Sequence, residues 1–123
     1  EIADRDWSSD VCSSDLVEAP DECGHMGDAE LKKQAIELFD ERIVAPAIEA
    51  TAGTDAVIVV TCDHFTPVAR RTHTEDPVPF LIHATRDART GGPSTFDEAS
   101  AAGTGLFLSS GRELMALVLG ARP

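Results

Sequence analysis

The sequence has no tyrosine and a single tryptophan, and aromatic residues fill only 5% of its 123 positions. Apolar content is nevertheless 42%, so a core has to be built from Val, Ile, Leu and Ala. Basic residues are also scarce: 10 Lys and Arg stand against 22 Asp and Glu, a net charge of −12. That balance argues against nonspecific binding of nucleic acid or an anionic membrane, which needs a basic face. It does not exclude an anionic substrate, because bound cations invert the local field. No apolar run approaches the ~20 residues that span a bilayer. No basic start followed by an apolar stretch marks a secretory signal. Three cysteines, an odd number without metal-knuckle spacing, favour a reducing, cytoplasmic setting. The length suits one domain.

Residues 1–16 do not match the rest of the chain. Within them DWSSDVCSSDL is rich in Ser and Asp and has no helical or strand period. It resembles a translated sequencing-library adapter and is read as an artefactual, disordered leader, with a natural disordered leader as the alternative. Its five acids and one base account for −4 of the charge, leaving −8 for residues 17–123. On this reading the gene is cut near Val17 and an upstream part is missing.

Beyond the leader, Val17–Ala19 reads as the end of a strand running into Pro20. Asp28 is a good N-cap for a helix from about Ala29, with Leu31, Ala35, Leu38, Ile36, Phe39 and Ile43 forming its apolar stripe and Lys32, Lys33, Glu37, Asp40 and Glu41 facing solvent. Pro46 should kink or restart that helix, and Gly53 marks a turn. Ala56–Thr61 (AVIVVT) reads as a central strand buried on both faces. Val78–His83 reads as a second strand, entered through Pro77 and Pro79 and so near an edge. Arg86–Ser94 is a Gly/Pro loop. Thr95 is placed to cap a short helix over Phe96–Ala102, with Glu98 completing a capping box. Leu106–Leu108 is a third short strand. Gly111–Leu119 is a terminal helix with Leu114, Met115, Leu117 and Val118 inward.

Chemistry concentrates in three polar segments, PDECGHMGD, TCDHFTP and RRTHTEDPVP, which carry three of the four histidines. Imidazole beside carboxylate is a ligand set for Mn, Zn, Fe or Mg. Asp21 and His25 lie four apart, so a shared helix face or a glycine turn can join them; such a pair is also common as a cap or a surface contact. Asp63 and His64 come directly after a buried strand, where burying either group unpaired is costly and where ligands collect in open α/β sheets. His73 alone reads as an ordinary loop histidine, and His83 as structural. Arg70 and Arg71 are equally suited to phosphate and to surface ion pairs. Cys23 and Cys62 are small, partly buried fillers.

Taken in order, DECGHMGD, TCDHFTP and HTEDPVPFLI resemble the C-terminal part of the archaeal-type cofactor-independent phosphoglycerate mutases, members of the alkaline phosphatase superfamily of metalloenzymes. Glu98–Gly103 and the GRELM of Gly111–Met115 extend the resemblance, which covers Val17 to Leu119. It implies an α/β fold, a partial three-layer α/β/α sheet domain of alkaline phosphatase type, incomplete at the N-terminus, with 17–123 as the C-terminal segment of the catalytic domain. It implies that Asp21, His25 and His73 hold one divalent metal and that Asp63 and His64 hold a second. In the family that second metal is completed by an aspartate and a nucleophilic serine from the N-terminal part. Neither has a counterpart here, since Ser13 and Ser14 lie in the leader, and the phosphate-clamping basic residues also lie largely upstream. Phe65 departs from the small hydroxyl residue the family often has.

The implied cofactors are two divalent ions, manganese first, with magnesium or zinc as alternatives and no 2,3-bisphosphoglycerate. The implied partner is a small phosphorylated substrate, with no nucleic acid and no membrane; oligomeric state is left open. The implied reaction interconverts 3- and 2-phosphoglycerate through a phosphoserine, two metals about 3.5–4 Å apart stabilising the attacking and leaving oxygens. Lacking the serine, the chain alone is expected to be inactive. The alternatives are another phosphomutase or phosphatase of the superfamily, or a small non-catalytic metal-binding domain.

Overall fold

A computed structural model of the chain describes residues 16–85 and 92–120. The leader, apart from Leu16, and most of the 86–94 loop lie outside those residues. Helix α1 spans Ala19–Met26, so Val17–Ala19 does not end a strand. Pro20 sits in the first turn, where its missing N–H has no intrahelical acceptor to lose and its fixed φ suits the helix. The helix stops at Gly27, whose φ of 78° is open to glycine at little cost. The Asp28 and Gly27 amides then bond back to the Cys23 and Gly24 carbonyls, at 3.2 and 3.1 Å, closing a Schellman motif.

Helix α2, Ala29–Phe39, begins as its sequence predicts, with the Asp28 carboxylate accepting from the Leu31 amide at 2.9 Å. Pro46 stands where the helix restarts, in the first turn of its next α-helical stretch. A π-helical turn at Asp40–Val44 intervenes, and helix α3, Ala45–Thr51, runs on from it. The π turn sets the Ala45 amide on the Asp40 carbonyl, directly before Pro46, which has no amide with which to continue the α pattern. Helices α1 and α2 meet over small residues: Ala19, Cys23 and Ala35 are buried, with Val17 and Leu31 packed against them. Cys23 is fully inaccessible.

Strand β1, Val57–Thr61, pairs antiparallel with β2, Phe80–Ala84, from Val57 opposite Ala84 to Thr61 opposite Phe80. Among the described residues these two strands make up the sheet. The expectation of a central strand buried on both faces is therefore not met here: Val57–Val60 are half-buried and Thr61 is exposed, because β1 has one neighbour among those residues. Thr61 Oγ1 donates to the Pro79 carbonyl at 3.0 Å, tying the segment before β2 to the end of β1.

Helix α4, Glu98–Gly103, is capped by Asp97 rather than Thr95. Asp97 Oδ1 accepts from the Ser100 amide at 2.7 Å, while the Thr95 hydroxyl meets that of Ser100 at 2.9 Å. A carboxylate is the stronger acceptor of the two at a helix start. Leu106–Leu108 is not a strand; Leu106 and Phe107 are exposed, with no sheet edge among the described residues to pair with. Helix α5 spans Gly111–Gly120. Its inward face is narrower than predicted: Val118 is buried and Leu114 half-buried, whereas Met115 and Leu117 are exposed. No helix among the described residues is long and apolar enough to cross a membrane. Helices before and after a small antiparallel sheet are consistent with a partial α/β domain.

Candidate metal centre

The helical conformation of α1 decides between the two ways Asp21 and His25 can meet. Four residues apart on one face, they lie with His25 Nε2 3.5 Å from Asp21 Oδ2. Asp21 is in the first turn, where the helix dipole favours a carboxylate. Strand β1 runs out at Thr61 and delivers Cys62, Asp63 and His64 directly after it. There the Asp63 side chain accepts from the His64 amide at 3.0 Å.

The chain then turns back on itself. The Pro67 carbonyl accepts from the Arg70 and Arg71 amides, both at 2.9 Å, and Phe65 and Thr74 form an isolated antiparallel bridge. This loop brings the His64 and His73 rings into a stack, centroids 3.7 Å apart and planes 26° from parallel. Arg71 takes a φ of 54°, a left-handed conformation that costs a non-glycine residue about 1–3 kcal/mol and persists only where its surroundings enforce it. Its carbonyl accepts a hydrogen bond from His25 Nδ1 at 3.0 Å. With Nδ1 as donor, Nε2 of the neutral ring keeps its lone pair.

That lone pair points into a cluster. His25 Nε2 lies 3.1 Å from His73 Nε2, and His73 Nε2 lies 3.4 Å from Asp21 Oδ1. Donor atoms around an ion with bonds of about 2.0–2.1 Å in a tetrahedron sit roughly 3.3 Å from each other. The separations among Asp21, His25 and His73 bracket that edge, so their donor set fits a divalent ion. Asp21, His64 and His73 form an overlapping group whose ligand atoms all lie within 4.8 Å of one another. Asp63 stands at the rim, its side chain 64% exposed and its Oδ2 3.5 Å from His64 Nε2. Four of the five residues singled out by the sequence thus converge, and the fifth borders them. His83, on β2 opposite Ile58, is away from the cluster in the register, as its structural reading expects.

Burial pushes the Asp21 carboxyl up, but the Thr66 hydroxyl and the charges of His25, His73 and His64 outweigh it and hold the group below the ordinary aspartate range. The thiols go the other way. Burial, then the charges of Asp28 and Glu22, raises Cys23; burial, then Asp63, raises Cys62. Neither has the thiolate character of a ligand or nucleophile.

Sequence reasoning missed three contributors. Thr66, 3% exposed, donates to Asp21 Oδ1 through its hydroxyl. Lys32, expected to face solvent, is half-buried and donates from Nζ to the Thr66 carbonyl at 2.7 Å. The Arg71 carbonyl supports His25. A backbone group leaves no mark in a sequence. Lys32 does leave one: it sits three residues before Ala35, on the edge of the buried stripe.

A family model described as Metalloenzyme superfamily matches residues 16–119. The chain is 42% identical over 105 residues to a 2,3-bisphosphoglycerate-independent phosphoglycerate mutase of Methanosarcina mazei, an alignment covering 84% of this chain and 26% of that protein. It is 43% identical over 105 residues to a protein of the same name from Methanothrix thermoacetophila, covering 84% and 26%. To the 2,3-bisphosphoglycerate-independent phosphoglycerate mutase 1 of Archaeoglobus fulgidus it is 39% identical over 103 residues, covering 84% and 24%. The chain therefore spans about a quarter of the length of the curated relatives it matches. No solved structure matches it significantly. With 104 of its residues inside the family model and a carboxylate–imidazole cluster at the heart of that span, the chain belongs to the Metalloenzyme superfamily.

Proposed function

We propose that residues 17–123 are the C-terminal segment of the catalytic domain of a phosphoglycerate mutase that needs no 2,3-bisphosphoglycerate and interconverts 3- and 2-phosphoglycerate. The observation that carries this reading is the convergence of Asp21, His25, His64 and His73, in a chain 42% identical to a relative of that name. Asp21, His25 and His73 hold one divalent ion. Asp63 and His64 contribute to a second, whose other ligands come from outside this chain. Manganese is the first choice, with magnesium or zinc as alternatives, since the nitrogen and oxygen donors suit all three to different degrees.

The ions supply positive charge where phosphoryl oxygens develop negative charge, and they lower the pKa of a coordinated nucleophile. This chain's residues set the geometry. His25 is oriented by the Arg71 carbonyl, and Asp21 is kept ionised by Thr66 and its histidine neighbours. His64 and His73 brace each other through their stacked rings. The metal cluster, rather than a basic surface, accounts for how so acidic a chain takes an anionic substrate. A cytoplasmic setting fits that metabolic role.

The test is a coupled mutase assay on the full-length protein with 3-phosphoglycerate, Mn2+ and no 2,3-bisphosphoglycerate. Turnover that is abolished by EDTA and restored by Mn2+ is expected. Turnover that requires 2,3-bisphosphoglycerate, or release of inorganic phosphate without 2-phosphoglycerate, would overturn the mutase reading. The chain alone, without an upstream serine, should show neither activity.

A further inference from the structure

We propose that Thr66 is a positioning residue whose single hydroxyl couples the ligand groups of the two metals, an inference that rests on the two-metal reading above. A hydroxyl has one proton to give and lone pairs to accept with. The Thr66 proton is committed to Asp21 Oδ1. The same oxygen lies 3.4 Å from His64 Nδ1, and with its own proton engaged it can only accept there. His64 therefore carries its proton on Nδ1 and presents an unprotonated Nε2. The Arg71 carbonyl imposes the same tautomer on His25. Groups that orient and polarise metal ligands from behind in this way strengthen metal binding. Thr66 differs from Arg71 in what it joins: Asp21 belongs to one proposed ion and His64 to the other.

The surroundings hold this hydroxyl in place from two sides. Lys32 Nζ anchors the Thr66 carbonyl at 2.7 Å. Gly24 of α1 passes so close that a Cβ there would overlap the Thr66 carbonyl and come within 2.9 Å of its Cγ2. The residue is 3% exposed, so water has little access with which to replace the hydroxyl. Helix α1 thus presents Asp21 to Thr66 and, one turn later, leaves a gap for Thr66 to fill.

Two substitutions separate hydroxyl from shape. Thr66→Ser keeps the donor and loses a methyl; Thr66→Val keeps the shape and loses the donor. Mn2+ is titrated into the full-length metal-free protein and the free ion is monitored by electron paramagnetic resonance. The Ser variant is expected to hold both ions within about threefold of the parent, the range of a minor perturbation. The Val variant is expected to weaken both by about 10- to 100-fold. Unchanged binding in the Val variant, weakening of one ion only, or equal losses in Ser and Val would each overturn the coupling role. Should the Val variant fail to fold, the 15N spectrum of the metal-free parent's histidines decides: an Nδ1–H tautomer at His64 supports the role and an Nε2–H tautomer overturns it. A parent protein that binds no Mn2+ overturns the metal reading itself, a result separate from any seen in the variants.

Discussion

Replacing Gly24 by alanine sets two well-known effects against each other. By helix propensity alone, alanine in the middle of α1 would stabilise the protein by about 0.5–1 kcal/mol. The packing opposes this. The new Cβ would overlap the Thr66 backbone carbonyl and come within 2.9 Å of Thr66 Cγ2, closer than real Cβ atoms approach. Overpacking of a buried contact costs about 1–3 kcal/mol. The obstacle here is backbone, anchored by Lys32 at 2.7 Å, so the upper end applies. The net is a destabilisation of about 2 kcal/mol. Relief requires Thr66 to move away from α1, which also draws its hydroxyl off Asp21. Urea unfolding of the full-length Gly24→Ala protein should show the lower midpoint, and Mn2+ titration should show weaker binding. A variant more stable than the parent, with unaltered Mn2+ affinity, would refute both the tight contact and its link to the site.

Asp28→Ala removes the side-chain acceptor for the Leu31 amide and should cost about 1 kcal/mol, read by the same urea titration. Asp97 is held below the ordinary carboxylate range, chiefly by the Ser100 amide and then by the Thr95 and Ser100 hydroxyls. A depressed folded-state value means that its stabilising contribution is present above the unfolded carboxylate's pKa of about 3.9 and is lost as pH falls through the folded value. The Ser100 amide resonance should therefore titrate below about pH 3.9, and Asp97→Asn should abolish that step. Asp21 has the same sign, so it should stay ionised as pH falls from 7 to about 3.9, and Mn2+ release caused by its protonation, followed by electron paramagnetic resonance, should come only below that.

Much of the site was legible in the sequence because ligand chemistry restricts residue type. Each Asp–His segment alone has ordinary uses as a cap, a surface pair or a loop, but three of them in order point to one site, and Asp21, His25, His64 and His73 do come together. Helix α2 was equally clear, since Asp28 is a strong cap and the apolar stripe has the right period. Other features failed for physical reasons. Val17–Ala19 offers one β-former, Val17, beside Glu18 and Ala19, which strands disfavour, and Pro20 suits a helix start. The Leu106–Leu108 apolar run has no neighbour to pair with among the described residues. Thr95 lost its cap to Asp97, which takes the Ser100 amide and so starts the helix two residues later. Thr66 and Lys32 were missed because their roles depend on what lies opposite them in space, 45 residues away for Thr66 and Asp21 and 34 for Lys32 and Thr66.

Two distinct ligand sets for two ions are the central claim about these carboxylates and imidazoles. Metal content per chain, measured by plasma mass spectrometry on the full-length protein after Mn2+ loading and gel filtration, tests it most directly. The parent should retain two ions. His73→Ala should lose the ion shared with Asp21 and His25, and Asp63→Ala the other, leaving one in each variant. Two ions retained in both variants would contradict the ligand assignment.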